Sequence, residues 1–266
     1  MDYGSHYARR WRVYGEMNEQ REWVLVTGAS SGIGRAVAIE LSKHYNLVLN
    51  GRDASRLEET RATCSSDVEV CLYPFDLGNV DALSESFAAM VKDKDIKISS
   101  FVHCAGVSRL LPVRSTKLGD LRDTFNTNVF APFLIVQVLA SRRINGDALK
   151  SVVFISSNIS NRGSKAFAAY GASKSGLDGL MRCLAVELAP NVRVNSVLPG
   201  AVRTRMTESI FANEEVVERM KSQYPLGLGN ASNIADAVSF LLSGKASWIT
   251  GQQLTVDGGA TIDITG

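Results

Sequence analysis

The chain has 266 residues, 45% of them apolar and 21% charged, a balance that fits one sizeable globular α/β domain and excludes a mainly disordered chain. Its 29 basic and 27 acidic side chains nearly cancel, to a formal charge of +2. No global field recruits nucleic acid or an anionic membrane, and small-molecule chemistry is the better expectation. Cys64, Cys71, Cys104 and Cys183 form no C-x-x-C pair, and His6, His44 and His103 stand singly, so neither a disulfide framework nor a metal site is expected. No apolar run reaches the ~18 residues of a membrane span, and the first residues are too polar for a signal peptide, which points to a cytoplasmic protein.

Residues 1–22 mix Tyr3, Tyr7, Trp11 and Tyr14 with Arg9, Arg10 and Arg12 without periodicity, and are expected to form a flexible N-terminal extension. Docking on its own or a neighbouring subunit is the alternative. From Trp23 onward, short β-branched runs alternate with amphipathic stretches, the pattern of repeated βαβ units. Strands are expected at 23–27, 46–50, 68–73, 99–103, 150–156, 192–196 and 252–256. Helices are expected at 33–43, 53–63, 79–94, 118–143, 169–189 and 231–242. Right-handed crossovers turn residues 23–266 into a single Rossmann-type domain, a doubly wound parallel sheet of seven strands with helices on both faces. Residues 204–230 lack a strand and are expected to form a small helical flap.

Directly after the first strand runs Thr27-Gly28-Ala29-Ser30-Ser31-Gly32-Ile33-Gly34, opening a helix. Glycines allow a tight turn and close backbone approach, and the exposed amides of the helix start can hold a pyrophosphate. An ordinary glycine-rich turn is the bland reading, and the placement between strand and helix argues against it. This turn is followed in order by Asp76-Leu77, His103-Cys104-Ala105-Gly106, Asn128, Ser157, Tyr170-Gly171-Ala172-Ser173-Lys174 and Pro199-Gly200-Ala201-Val202-Arg203-Thr204. The series resembles the short-chain dehydrogenase/reductase family over residues 23–258. The segment from Gly251 to Gly259 is similar to the family's 3-oxoacyl-acyl-carrier-protein reductase branch.

The resemblance implies an NAD(P)(H)-dependent oxidoreductase interconverting a carbonyl and a secondary alcohol, assembled as a homotetramer or homodimer through the long helices. It implies dinucleotide contacts from Gly28, Ser30, Ser31, Gly32, Ile33 and Gly34, adenine contacts from Asp76 and Leu77, and backbone at Ala105 and Gly106 beside the ribose. Lys174 and Tyr170 would also touch the ribose side, with Pro199, Gly200, Val202 and Thr204 at the nicotinamide carboxamide. Asn128 would support a water joining Lys174 to solvent. The family's two asparagines are replaced here by His103 and Cys104, both expected to be structural.

Tyr170 and Lys174 stand four residues apart, which puts them on one helix face about 6 Å apart along its axis. A free phenol has a pKa of about 10, and a nearby ammonium is expected to favour the phenolate. Ser157 ends a strand at the carboxyl edge, where open α/β sheets place ligands. Its rival Ser156 is expected to be structural. In reduction, hydride reaches the carbonyl carbon while Tyr170 protonates the oxygen and Ser157 stabilises it. No G-x-S-x-G elbow occurs and no histidine follows Ser157, which argues against a serine hydrolase.

The second strand ends Leu49-Asn50-Gly51-Arg52-Asp53. No carboxylate stands at Asn50 or Gly51 to take a ribose 2′-hydroxyl, and Arg52 suits a 2′-phosphate, so NADP(H) is preferred over NAD(H). Asp53 is expected to cap the next helix. The substrate side, built from 107–117, 158–168 and 204–225, is poorly specified. An NADPH-dependent reductase of 3-oxoacyl thioesters or related ketones leads, although Leu188-Ala189-Pro190-Asn191 lacks the basic residue such reductases often carry near that helix end. An alcohol or sugar dehydrogenase and a non-catalytic dinucleotide-binding regulator remain as alternatives.

Overall fold

Each expected strand is present in the computed structural model, which describes residues 21–204, 207, 211 and 214–262. The strands are β1 (Trp23–Thr27), β2 (Asn46–Gly51), β3 (Val70–Pro74), β4 (Ile98–His103), β5 (Ser151–Ile155), β6 (Arg193–Pro199) and β7 (Gln253–Val256). They form one seven-stranded sheet in the order β3-β2-β1-β4-β5-β6-β7, with every pairing parallel. Strands β2, β4, β5 and β6 are buried along their whole length, because both faces of a parallel sheet are covered by its crossover helices.

Side-chain alternation along each strand feeds two cores. Leu25, Phe101 and Phe154 point to the face covered by α3 (Val80–Asp93), α5 (Ala131–Leu139) and α7 (Ala168–Glu187). Val24, Val26, Val102 and Val153 point to the opposite face, under α1 (Gly32–Leu41) and α9 (Ala231–Leu242), with α2 (Ala54–Arg61) adding Leu57. The order of connection reverses between β1 and β4, so the crevice at their carboxyl ends is the ligand-binding position of this fold.

The helix expected over 118–143 is broken. It consists of α4 (Leu118–Phe125), a π turn at Asn126–Phe130, α5 and a short α6 (Arg142–Asn145). Pro132 is the cause, since it offers no N–H and its ring crowds the carbonyl four residues back, that of Asn128. The helix widens by one residue there, and the Ala131 amide donates to the Asn126 carbonyl.

Of the expected N-terminal extension, residues 1–20 lie outside the described residues. Arg21 already pairs with Asp67 at 2.8 Å, and the Glu22 carbonyl accepts from the Asn46 amide at 3.0 Å. The described part of the 204–230 flap holds α8 (Glu214–Ser222), and a bridge between Val202 and Gly229 closes its base. Among the described residues, no helix is long and apolar enough to cross a membrane.

Candidate active site

The residues that follow six consecutive strands converge on the carboxyl edge of the sheet. After β1 the chain turns through Gly28 at φ +67° and Gly32 at φ +54°, a region glycine enters without steric penalty. A methyl group on Gly28 would lie 2.7 Å from the Ala105 nitrogen, and one on Gly34 would lie 2.2 Å from the Gly28 oxygen. The turn is therefore packed backbone against backbone, with Ala105 and Gly106 beside it. Helix α1 opens with no acidic residue in its first turn and no side-chain cap from Ser31. Its first amides and positive end are left for an anion, with Ile33 turned partly into the core behind them. Across this cradle stands Thr204, 3.2 Å from where a methyl on Gly32 would sit. Glycine backbone and open amides fit the pyrophosphate of a nicotinamide dinucleotide.

Arg35 was not singled out from sequence, yet it fastens this turn. It donates to the Ser30 carbonyl at 3.0 Å and to Thr60 Oγ1 at 3.0 Å, and pairs with Glu59 at 2.9 Å. At the end of β2, buried Asn50 donates to the Tyr73 and Phe75 carbonyls at 3.0 and 3.1 Å, tying β2 to β3. Asp53 caps α2 by accepting from the Arg56 amide at 3.2 Å, as expected. Arg52 is exposed and has no hydrogen bond or ion pair among the described residues. Beyond β3, Asp76 accepts from the Gly78 amide at 2.9 Å, beside buried Leu77.

On α7, Lys174 Nζ lies 5.8 Å from the centre of the Tyr170 ring and donates to the Ile155 carbonyl at 2.8 Å. Burial brings the Lys174 ammonium down to about 8, with Asp178 resisting the fall. The Tyr170 phenol is raised, not depressed as expected from its lysine neighbour: burial penalises the phenolate, and the Ser157 hydroxyl pulls back only part of the way. Ser157 accepts from the Ile159 amide at 3.2 Å, so its own proton is left to donate. Ser156 gives its hydroxyl to Asp178 at 2.9 Å and is structural.

Fully buried Asn128 accepts from the Val107 amide at 2.8 Å and donates to the Val107 carbonyl at 3.0 Å and Ser173 Oγ at 2.9 Å. Its side chain thus pins the loop after β4 to α7. The two loops flanking the site meet where the Leu111 amide donates to the Ala166 carbonyl at 3.0 Å.

The segment Pro199–Thr204 after β6 rests on partners that the sequence reading missed. A methyl on Gly200 would stand 2.7 Å from Asp257 Cβ and 2.9 Å from Tyr224 Cε1, and the Tyr224 hydroxyl accepts from the Ala201 amide at 2.8 Å. Thr207 donates to the Val202 carbonyl at 2.8 Å and accepts from the Thr204 amide at 2.9 Å. The Thr204-x-x-Thr207 spacing was the one available signal. His103 and Cys104 are structural, as expected. His103 lies between the Phe101 and Phe154 rings with Nδ1 2.9 Å from Thr27 Oγ1, and burial drops its pKa to about 3. Burial likewise pushes the Cys104 thiol up.

A parallel sheet with a glycine cradle at its switch point, and a serine, tyrosine and lysine beside it, defines a Rossmann-type oxidoreductase acting between CH–OH and C=O. The sequence model of the family described as enoyl-(acyl carrier protein) reductase matches residues 28–261. Gluconate 5-dehydrogenase of Gluconobacter oxydans (strain 621H) is 32% identical over 244 residues, 90% of this chain and 94% of the relative. The 3-oxoacyl-[acyl-carrier-protein] reductase FabG of Buchnera aphidicola subsp. Acyrthosiphon pisum (strain APS) is 32% identical over 247 residues, 91% of this chain and 98% of the relative. A solved 4-hydroxyisoleucine dehydrogenase mutant complexed with NADH and succinate superposes with a TM-score of 0.84 at 28% identity, covering 91% of this chain and 99% of its own. The chain belongs to the short-chain dehydrogenase/reductase family.

Proposed function

We propose that this chain is an NADPH-dependent reductase of ketones, with 3-oxoacyl thioesters as the leading substrate class. The observation that carries this reading is the convergence of Ser157, Tyr170 and Lys174 beside the glycine cradle at the switch point. The Gly28–Gly34 turn, Ala105–Gly106 and Pro199–Thr204 would hold the dinucleotide, with Asp76 and Leu77 at its adenine. When bound, the dinucleotide supplies the hydride that reduces the carbonyl carbon. Ser157 donates its hydrogen bond to the carbonyl oxygen and fixes it near Tyr170. Tyr170 then gives that oxygen its proton as negative charge builds, and a phenol kept protonated by burial suits reduction. Lys174, still charged at neutrality, holds the ribose side and lowers the cost of the phenolate left behind. Asn128 acts at one remove, by pinning Val107, and Pro132 denies its carbonyl a helical partner that a relay water can replace.

Preference for the phosphorylated cofactor rests on Arg52, on the missing carboxylate at Asn50 and Gly51, and on Ser30 and Ser31 as hydroxyl donors from the facing turn. The NADH in the solved 4-hydroxyisoleucine dehydrogenase relative shows that this fold also takes the unphosphorylated form. Arg52 projects from the β2 edge with no competing partner among the described residues and no acidic residue at Asn50 or Gly51. Turnover of a carbonyl panel with both cofactors tests the reading: 3-oxoacyl thioesters with NADPH give the highest kcat/KM. Arg52→Ala costs NADPH at least about tenfold and leaves NADH within about threefold. Higher efficiency of the wild type with NADH, or an unchanged ratio in Arg52→Ala, sinks the assignment. Gly51→Asp is a poorer probe, because its Cβ would press on Leu57 at 3.1 Å and Ser30 at 3.3 Å.

One observation supports oxidation of a sugar or alcohol as well. Gluconate 5-dehydrogenase and the FabG relative are equally identical to this chain, at 32%. Faster turnover of polyols with NADP than of thioesters with NADPH decides for that reading.

The proposed homotetramer or homodimer is supported by apolar side chains left on the outside of the 118–139 region and α7: Leu118, Phe130, Phe133 and Val186, 61%, 49%, 43% and 81% exposed. Light scattering at micromolar concentration is expected to give two or four times the 28.8 kDa chain mass, and a monomer refutes it. Four free cysteines suit a reducing compartment such as the cytoplasm.

A further inference from the structure

We propose that Asp178 is a positioning residue of this reaction: a buried carboxylate one helical turn behind Lys174 that keeps the lysine an ammonium at neutral pH. This rests on the reading of Lys174 given above. Asp178 is 1% exposed and Lys174 4%, and the two stand four residues apart on α7, about 6 Å along the helix axis. Asp178 Oδ2 takes the Ser156 hydroxyl at 2.9 Å, and that hydroxyl also lies 3.4 Å from the Lys174 carbonyl. Asp178 Oδ1 has no hydrogen-bond partner among the described residues. The carboxylate is thus held in place by one neutral donor, with its charge left largely uncompensated by donors of its own.

Among the described residues, the other groups facing Lys174 are neutral near pH 7. From the end of β4 come His103, lowered to about 3, and the Cys104 thiol, pushed up by burial. From α7 itself comes Tyr170, a raised phenol, and from the end of β5 come the Ser156 and Ser157 hydroxyls. The Ile155 carbonyl accepts from the ammonium at 2.8 Å but carries no net charge. A buried ammonium loses its proton unless a counter-charge holds it. Asp178 supplies that charge, and it opposes the loss that burial imposes on Lys174.

The sign follows. Lys174 is an ammonium below about pH 8 and an amine above it. Without the carboxylate this midpoint falls by at least about one pH unit; a unit charge about 6 Å away at an effective dielectric of about 20 corresponds to about two. The test follows lysine 13Cε resonances across a pH titration of the full chain without cofactor, with Lys174 assigned by its loss in Lys174→Arg. The same titration is run on Asp178→Asn, and kcat for carbonyl reduction is measured against pH for both. The expected result is a Lys174 midpoint near pH 8 in the wild type and at least about one unit lower in Asp178→Asn. The descending limb of kcat moves by the same amount, and at low pH the variant returns to within about threefold of wild type. A purely structural role lowers kcat alike at every pH and leaves the midpoint in place, which overturns the proposal. A neutral Lys174 amine at pH 7 in the wild type overturns it whether or not the variant folds. A shifted midpoint with an unmoved kcat limb leaves Asp178's hold on Lys174 intact and overturns the role of Lys174 instead.

Discussion

Tyr170→Phe is expected to lower kcat for carbonyl reduction by at least about two orders of magnitude, or about 2.7 kcal/mol of transition-state stabilisation, with the dinucleotide Kd within about threefold of wild type. Removing the hydroxyl takes away the proton that Tyr170 would transfer, leaving Ser157 only its hydrogen bond, while the cofactor cradle is built by other elements. The ring itself stays: it packs edge-on to Phe167 at 5.8 Å between centroids, so melting should change little. Stopped-flow turnover and a fluorescence titration of the dinucleotide separate the two effects. Turnover within about fivefold of wild type would show that the proton comes from elsewhere.

The second large effect is expected at Gly34. Its missing Cβ position lies 2.2 Å from the Gly28 oxygen and 2.6 Å from the Gly28 carbonyl carbon. The opposing atoms are backbone in a turn already at positive φ, so no side-chain rotation relieves the clash. Gly34→Ala is expected to cost at least about 2 kcal/mol of stability and to weaken dinucleotide binding by tenfold or more, about 1.4 kcal/mol, because the turn and the start of α1 must part. Gly119, in the first turn of α4, supplies the control: nothing lies within 4 Å of its Cβ position. Gly119→Ala should leave binding unchanged and the fold unharmed or slightly firmer. Urea unfolding and dinucleotide titration of both variants decide the matter. Equal behaviour of the two alanines would mean that the turn is not the rigid cradle described.

The sequence by itself determined the seven strands, their parallel connection and the site carried on their ends. Each of these depends on short-range pattern: continuous apolar runs for strands buried on both faces, glycine between a strand and a helix, and a tyrosine and lysine at helical spacing. Tertiary structure alone decided the rest. The Asn126–Phe130 π turn arises where Pro132 crowds a carbonyl four residues back, and that turn carries Asn128, whose side chain then pins Val107. The contacts that support the cradle were decided in the fold: Arg35 reaches back to Ser30 and across to α2, and Tyr224 and Asp257 close on Gly200 and Ala201 from far along the chain. The Tyr170 phenol is raised against the expected pull of Lys174, because spacing along a helix reports which charges are near but not how much water the fold removes. The same loss of water makes Asp178 matter, an acidic residue that in sequence is merely one more helical carboxylate and in the fold faces a buried ammonium.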